Sequence, residues 1–287
     1  MNQIRKRKPL PYLLLLPMVL LFTTFTFYPF LRSIFLSFFV TDPLGNPATF
    51  VGLRNYERVM TTSGFSKSIL STVKFALMVG VGTFSLAMVL ALLCIKPQKG
   101  SRIYQTMYSL PIAVASVPVS ALASYILSKY GILNQILGTD IAWLSTEATA
   151  LAACAAVTIW SGVGTSFIFL LVGFRNVPDE LLECARLDGA GSIRRIIHVI
   201  LPLASPQVFF VIFLNIVNSF KAFAIIKLLT QKGPNDSTNI LVYAIYSNAF
   251  LRGRFETACV YSLVLCAIIF VVTRIQLLCE KRMVHYQ

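Results

Sequence analysis

The 287-residue sequence predicts an all-α polytopic membrane protein with about six transmembrane helices, on three observations. Apolar residues make up 56% of the chain and charged residues 13%, roughly half the charged share of a soluble domain. At a mean hydropathy of +0.75, the chain holds more apolar side chain than a globule of this size could hide. The apolar residues also fall into runs of roughly 20, the length a helix needs to cross the hydrocarbon core, where no water satisfies the backbone. Lys and Arg number 25 against 11 Asp and Glu, a net charge of +14. Low charge density and long apolar runs nevertheless exclude a disordered chain or a basic nucleic-acid binder. The six cysteines form no CxxC pair and sit mostly in apolar runs. They read as small hydrophobes rather than a zinc site or disulfide framework.

Six spans are expected, at 10–31, 75–95, 103–127, 149–172, 206–226 and 259–278. The first carries no charged residue from Leu10 to Leu31; its run is too long for a signal-peptide core, and no small-x-small site follows, so it reads as a retained anchor. The second has Gly80 and Gly82 near its start. The third contains Pro111 and Pro118, each expected to bend it by removing an N–H and crowding the preceding turn. The fifth is interrupted by Asn215, Asn218 and Lys221, and the last has Arg274 near its end. Basic residues gather in 1–9 (Arg5, Lys6, Arg7, Lys8), between spans two and three (Lys96, Lys99, Arg102), between four and five (Arg175, Arg186, Arg194, Arg195) and in the tail 279–287 (Lys281, Arg282). The positive-inside rule makes these segments cytoplasmic, and an even number of spans agrees with both ends lying inside.

The connection 176–205 does not read as a plain loop. Pro178 suits a first helical position, and Asp179, Glu180 and Glu183 place negative charge near the positive end of that helix dipole. Gly189 and Gly191 break the helix, Ser192 is placed to cap a second one, and Leu201-Pro202 to end it. In the second helix Ile193, Ile196, Ile197 and Ile200 recur at helical spacing as one apolar stripe. An amphipathic segment on the lipid surface would share the stripe. The acidic first helix and the glycine break favour a protein partner instead.

Glu183-Cys184-Ala185, three residues, Gly189, nine residues and then Val199-Ile200-Leu201-Pro202 resembles the EAA loop of binding-protein-dependent ABC importer permeases. The sequence departs from the family pattern at Cys184, where the family has Ala, and at Val199, where it has Ile. Val51-Gly52-Leu53-Arg54-Asn55-Tyr56, Leu110-Pro111 and Asp188-Gly189-Ala190-Gly191 are similar to segments of the carbohydrate-uptake class. Within that class Thr41-Asp42-Pro43-Leu44-Gly45, Gly100 to Thr106 and Val284-His285-Tyr286-Gln287 resemble the membrane subunits of glycerol-3-phosphate importers.

The resemblance implies the type I permease fold over 10–278, in a multi-pass protein of the bacterial inner membrane. It implies a subunit forming half of a channel with a second homologous permease. Two copies of a cytosolic ABC ATPase would dock beneath, and an extracytoplasmic solute-binding protein would deliver substrate; nucleic acid is not an expected partner, and membrane lipid surrounds the chain. ATP and Mg would be bound by the ATPase, with no cofactor in this chain, which lacks a GxxxxGK[ST] loop. Glu183, Cys184, Ala185, Asp188, Gly189, Ala190, Ile196, Ile197, Leu201 and Pro202 would couple it to the ATPase.

Polar residues inside spans are costly in lipid and are the candidate substrate contacts. Asn215, Asn218 and Lys221 recur at three-residue spacing; helix–helix hydrogen bonding and snorkelling are the competing readings. Trp160, Ser161 and Ser166 form a second set, in which Gly162 and Gly164 equally fit close helix packing. The implied substrate is sn-glycerol-3-phosphate or a related glycerophosphodiester, with di- or oligosaccharide uptake as the alternative. An enzyme would need HExxH or paired intramembrane acids, whereas only His198 and His285 are present. A secondary carrier would need acidic residues within the spans, and all eleven lie outside or at span ends.

Overall fold

A computed structural model describes residues 10–96 and 99–283 of the chain. The basic stretch 1–9 and Val284–Gln287 lie outside the described residues. Two compact units result, one from residues 1–61 with 245–264, the other from 62–244 with 265–287.

The first unit opens with α1 (Leu10–Phe22), a π-helical turn (Thr23–Phe27) and α2 (Tyr28–Leu36), so the first apolar helix runs five residues past the expected end at 31. A hairpin follows, with β1 (Phe39–Thr41) antiparallel to β2 (Pro47–Phe50). Its turn closes on Asp42: one carboxylate oxygen accepts from the backbone N–H of Leu44 (3.0 Å) and Asn46 (2.7 Å), the other from the Asn46 amide (3.0 Å). These bonds, the Asn46 backbone N–H foremost, hold the Asp42 carboxyl below its usual value. Helix α3 (Arg54–Thr61) starts after Gly52, whose φ of +57° only glycine adopts without strain. The buried Asn55 amide then donates to the carbonyls of Ser37 (2.9 Å) and Phe39 (2.8 Å), and the Tyr56 hydroxyl meets Ser37 Oγ at 2.8 Å. Gly52, Asn55 and Tyr56 thus fasten the hairpin to α3. Thr41 Oγ1 donates to the buried Glu256 carboxylate at 2.6 Å.

The second unit is built on α4 (Ser63–Leu93) and α8 (Glu147–Arg175). α4 starts twelve residues before the expected span 75–95 and ends two short of it, and α8 extends past 149–172 at both ends. Ala87 and Ala91 of α4 are fully buried beside Phe167, Leu170 and Phe174 of α8. Small residues facing large ones let the two helices close without voids. The C-terminal carbonyls of α4 are satisfied from α8: Arg175 Nη2 donates to Cys94 O at 2.8 Å, a cation at the negative end of the helix dipole.

The third expected span, 103–127, is not one helix. α5 (Ser101–Ser109) runs into a 3-10 turn (Leu110–Ala113), and α6 (Ser116–Ile126) leaves at 102° to it. The break falls at Val114 and Ala115, both extended, after a helical segment that runs through Pro111 to Ala113. Pro118 does not bend the chain: it lies in the first turn of α6, where no intrahelical partner awaits its N–H. At the turn Gly164 of α8 lies so close that an added Cβ would meet Ile112 Cγ1 at 2.9 Å and Tyr108 O at 3.1 Å. After α6, the short α7 (Ile132–Leu137) is tied down by the buried Asn134, which donates to three carbonyls and accepts from Thr139 and Trp143.

Next come α9 (Asp179–Leu187), α10 (Ser192–Arg195), a π-helical turn (Ile196–Ile200), α11 (Leu201–Leu203) and α12 (Ser205–Ser219). The expected span 206–226 is interrupted at Phe220–Phe223 before α13 (Ala224–Leu229) resumes. Ser219 Oγ turns back to Ile216 O (2.7 Å), a local bond that competes with helix continuation. α14 (Leu241–Tyr246), whose first N–H is capped by Thr72 Oγ1 at 2.8 Å, a π-helical turn (Ser247–Leu251) and α15 (Phe255–Met283) complete the chain; α15 starts four residues before the expected 259. Among the described residues five helices are long and apolar enough to cross a membrane, or six if the bent α5–α6 pair counts as one span.

Candidate functional site

Two places in the second unit combine structure with unspent chemistry. The first is a cavity of about 110 Å³ among α4, α8 and α12. Its apolar wall is Val79, Phe169, Val211 and Leu214; its polar wall is Thr83, Thr158, Thr165, Ser166, Asn215, Asn218 and Ser219. Three of these are satisfied within the protein. Thr158 Oγ1 donates to Cys154 O (2.8 Å), Ser219 Oγ to Ile216 O (2.7 Å), and Ser166 Oγ to Asn215 Oδ1 (2.9 Å). Asn215 Nδ2 and Thr83 Oγ1 are buried with no hydrogen-bond partner, in residues 8% and 1% exposed. An orphaned buried polar atom costs about 1–3 kcal/mol, and two of them lie in residues that line this one cavity. Every polar lining group is neutral.

Of the residues singled out in the sequence, Asn215, Asn218 and Ser166 come together here. Lys221 does not: it lies in the interruption after α12, exposed and outside the lining. Trp160 and Ser161 also fall outside it; Trp160 is exposed, and Ser161 Oγ bonds back to Val157 O. Thr83, Thr158, Thr165 and Ser219 carried no signal in the sequence. A lone Thr in an apolar run is unremarkable until three helices are placed side by side.

The second place is the segment 178–203. α9 ends in a complete Schellman motif: Ala190 N–H donates to Ala185 O (2.9 Å) and Gly189 N–H to Arg186 O (3.0 Å), with Gly189 at φ +76°. Ala185 and Ala190 are the pair the motif brings into register, so Ala185, Gly189 and Ala190 of the sequence pattern make one joint. Pro178 takes the cap position of α9 and Asp179 the first helical one. Ser192 does not cap the second helix. Gly191 occupies that position, and Ser192, the first helical residue, accepts from Arg195 Nη2 at 3.1 Å. Nor does Leu201-Pro202 end the helix, which runs through α11 to Leu203, Pro202 lying in its first turn.

The expected single isoleucine stripe is split. Ile193 and Ile197 lie along one side of it and Ile196 and Ile200 along the other, and a π turn covers Ile196–Ile200. Ile200 is buried in the unit's own core, with Ile196 half-buried against it, whereas Ile193 is 74% and Ile197 51% exposed. Leu187 projects furthest at 88%. Glu183, Cys184 and Asp188 are exposed, and among the described residues Glu183 has no ion-pair partner.

Lipid-length helices, a partly polar cavity among α4, α8 and α12, and a helical joint between α8 and α12 fit a membrane transport subunit. Residues 84–285 match the family described as "binding-protein-dependent transport system inner membrane component"; the chain belongs to it and is a multi-pass inner-membrane permease subunit of an ABC importer, not an enzyme. It is 31% identical over 292 residues to the sn-glycerol-3-phosphate transport system permease protein UgpA of Agrobacterium fabrum (strain C58 / ATCC 33970), covering 97% of each chain. Its fold matches a bacterial ABC transporter involved in the import of the acidic polysaccharide alginate, at TM-score 0.86 and 21% identity over 98% of both chains. It also matches a bacterial alginate ABC transporter in complex with alginate pentasaccharide-bound periplasmic protein, at TM-score 0.85 and 21% identity over 96% of both. Permeases of this family work with a binding protein and ATPase subunits.

Proposed function

We propose that this subunit forms half of the translocation pathway for sn-glycerol-3-phosphate, or a related glycerophosphodiester, delivered by an extracytoplasmic binding protein. The likeness to UgpA along 97% of the chain carries this reading. A second homologous permease completes the channel, two cytosolic ATPases drive it with ATP and Mg, and both termini are cytoplasmic.

Coupling runs through the joint at 178–203. The outward face of Leu187, Ile193 and Ile197 seats on the ATPase, and Glu183 offers a carboxylate to a basic group there. Ala185, Asp188, Gly189 and Ala190 hold the angle. Ile196, Ile200, Leu201 and Pro202 carry the motion into α12, whose Asn215 and Asn218 line the cavity. Cys184 lies on the exposed face of α9 beside Glu183.

A second reading, uptake of a di- or oligosaccharide, is favoured by one observation: the cavity lining is neutral and hydroxyl-rich, and Lys221 stands outside it. Neutral amides and hydroxyls suit a polyol as well as a phosphate ester. The test is uptake by proteoliposomes holding the complete importer, copurified through a tag on this chain, with its own binding protein. ATP-dependent accumulation of labelled glycerol-3-phosphate, with a disaccharide excluded, upholds the first reading; the reverse upholds the second. Uptake driven by an ion gradient without ATP would overturn both.

A further inference from the structure

A recess of about 290 Å³ lies between the last turn of α4 and the helices α9 and α10, separate from the cavity. Leu92, Leu93, Ile95, Leu182, Ile196 and Ile200 give it apolar walls, and its ionisable lining is Lys96, Arg186 and Arg195 against a single carboxylate, Asp179. Among the described residues Lys96 and Arg186 have no carboxylate partner. Arg195 donates one guanidinium N–H to Ser192 and likewise has no carboxylate partner among the described residues. Three cationic side chains on one recess leave charge-assisted donors in excess, and an oxyanion is the group that satisfies them best.

We propose that this recess holds the phosphate of an anionic phospholipid headgroup, so that the coupling joint is seated on lipid as well as on protein. Two features favour lipid as the source. The basic connections of the chain mark this end of α4 and α8 as the cytoplasmic membrane boundary, where anionic headgroups concentrate. The apolar walls continue onto the bilayer-facing end of α4, where Leu93 is 68% exposed, giving an acyl chain somewhere to lie. A free anion would use the cations and leave the apolar walls in water. Leu187, Ile193 and Ile197, the side chains proposed to meet the ATPase, are not among the lining residues.

The test uses the complete, detergent-purified importer, stripped of lipid and titrated with phosphatidylglycerol or phosphatidylcholine, with bound lipid counted by native mass spectrometry. Phosphatidylglycerol is expected to bind the native complex, and the R186Q/R195Q variant to bind it about tenfold more weakly, having lost two charge-assisted contacts. Phosphatidylcholine, whose headgroup carries no net charge, should bind both weakly and alike. Equal retention of phosphatidylglycerol by native and variant complexes would overturn the proposal. So would inorganic phosphate that displaces the lipid at equal concentration, which would make the occupant a free anion. Should the variant fail to assemble, a photoreactive phosphatidylglycerol on the native complex decides: adducts within 92–96 or 179–200 support the site, and adducts confined to other peptides overturn it.

Discussion

In the joint at 178–203 the backbone satisfies itself. The Schellman bonds close α9, Gly189 takes the left-handed turn, and the unspent chemistry is apolar side chain in water at Leu187, Ile193 and Ile197. In the cavity among α4, α8 and α12 the balance is inverted. Helical backbones and an apolar wall are complete, and polar atoms in an apolar setting, Asn215 Nδ2 and Thr83 Oγ1, are left over. Exposed apolar groups are relieved by a large, dry partner and buried orphaned polar groups by a small, hydrogen-bonding one. On the proposed function a protein would meet the one region and a solute the other, and substitutions in each should fail in different assays.

The largest effect is expected at Gly189. No atom lies within 4 Å of a Cβ added there, so the obstacle to a side chain is its φ of +76° rather than a clash. Gly189→Val should cost about 2 kcal/mol of backbone strain and reset the angle of the joint. Uptake by the reconstituted complex should fall about thirtyfold if that strain is relieved by losing the productive geometry, while membrane insertion is retained and ATP hydrolysis continues. Normal uptake would remove the joint from coupling.

The matching change in the cavity is Asn215→Leu. It replaces an amide, half of whose hydrogen-bonding capacity is unmet, by an apolar group of similar size. Thermal stability of the purified subunit should change little, since the orphaned Nδ2 is removed and Ser166 Oγ, losing Asn215 Oδ1, keeps Gly162 O as an acceptor (3.4 Å). Uptake should drop about tenfold, as a lost solute contact of roughly 1.4 kcal/mol. A variant that loses stability and uptake together would instead make the Asn215–Ser166 bond a structural strut.

The two halves of the isoleucine stripe sharpen the comparison further. Ile200→Ala empties space in the core and should lower stability by about 2–4 kcal/mol. Ile197→Ala, at an exposed position, should stay within about 0.5 kcal/mol and yet weaken copurification of the ATPase about fivefold, an anchor lost from an interface. Equal behaviour of the two would mean that the stripe is not divided.

The joint was legible in the sequence because caps, helix dipoles and glycine turns act within a few residues. Pro178, Asp179, Gly189 and the isoleucine spacing lie where each device shows itself. The single stripe did not survive: spacing puts four isoleucines on one face, but which side of that face is covered depends on the neighbouring helices, and only Ile196 and Ile200 meet the core. The helices α4 and α8 are longer than the spans expected within them, because hydropathy marks apolar runs rather than where hydrogen bonding ends. The cavity was half legible. Asn215 and Asn218 stand out as amides in an apolar run, whereas Thr83, Thr158 and Thr165 acquire meaning only when helices distant in sequence are side by side. Lys221 kept its spacing on paper and lost it to the break after Ser219.

The smallest expected effect is a control on that distinction. The hairpin at 39–50 is locally closed like the joint, but its closure runs through an exposed carboxylate, Asp42. Because the folded state holds this carboxyl below its usual value, the hairpin's extra tightness is full above the ordinary carboxylate range of about 4. It fades as pH falls through the lowered value, when a protonated Asp42 gives up its charge-assisted bonds. Hydrogen exchange of 39–50, corrected for the intrinsic rate, should therefore be flat from neutral pH to about 5 and rise only in stronger acid. Asp42→Ala should raise exchange a few-fold (roughly the loss of one exposed turn-closing bond) at every pH and abolish the acid rise, with uptake unchanged. An acid rise that persists in the variant would assign the effect to another group. Loss of uptake would mean that the hairpin, although it closes on itself, takes part in transport as the joint does.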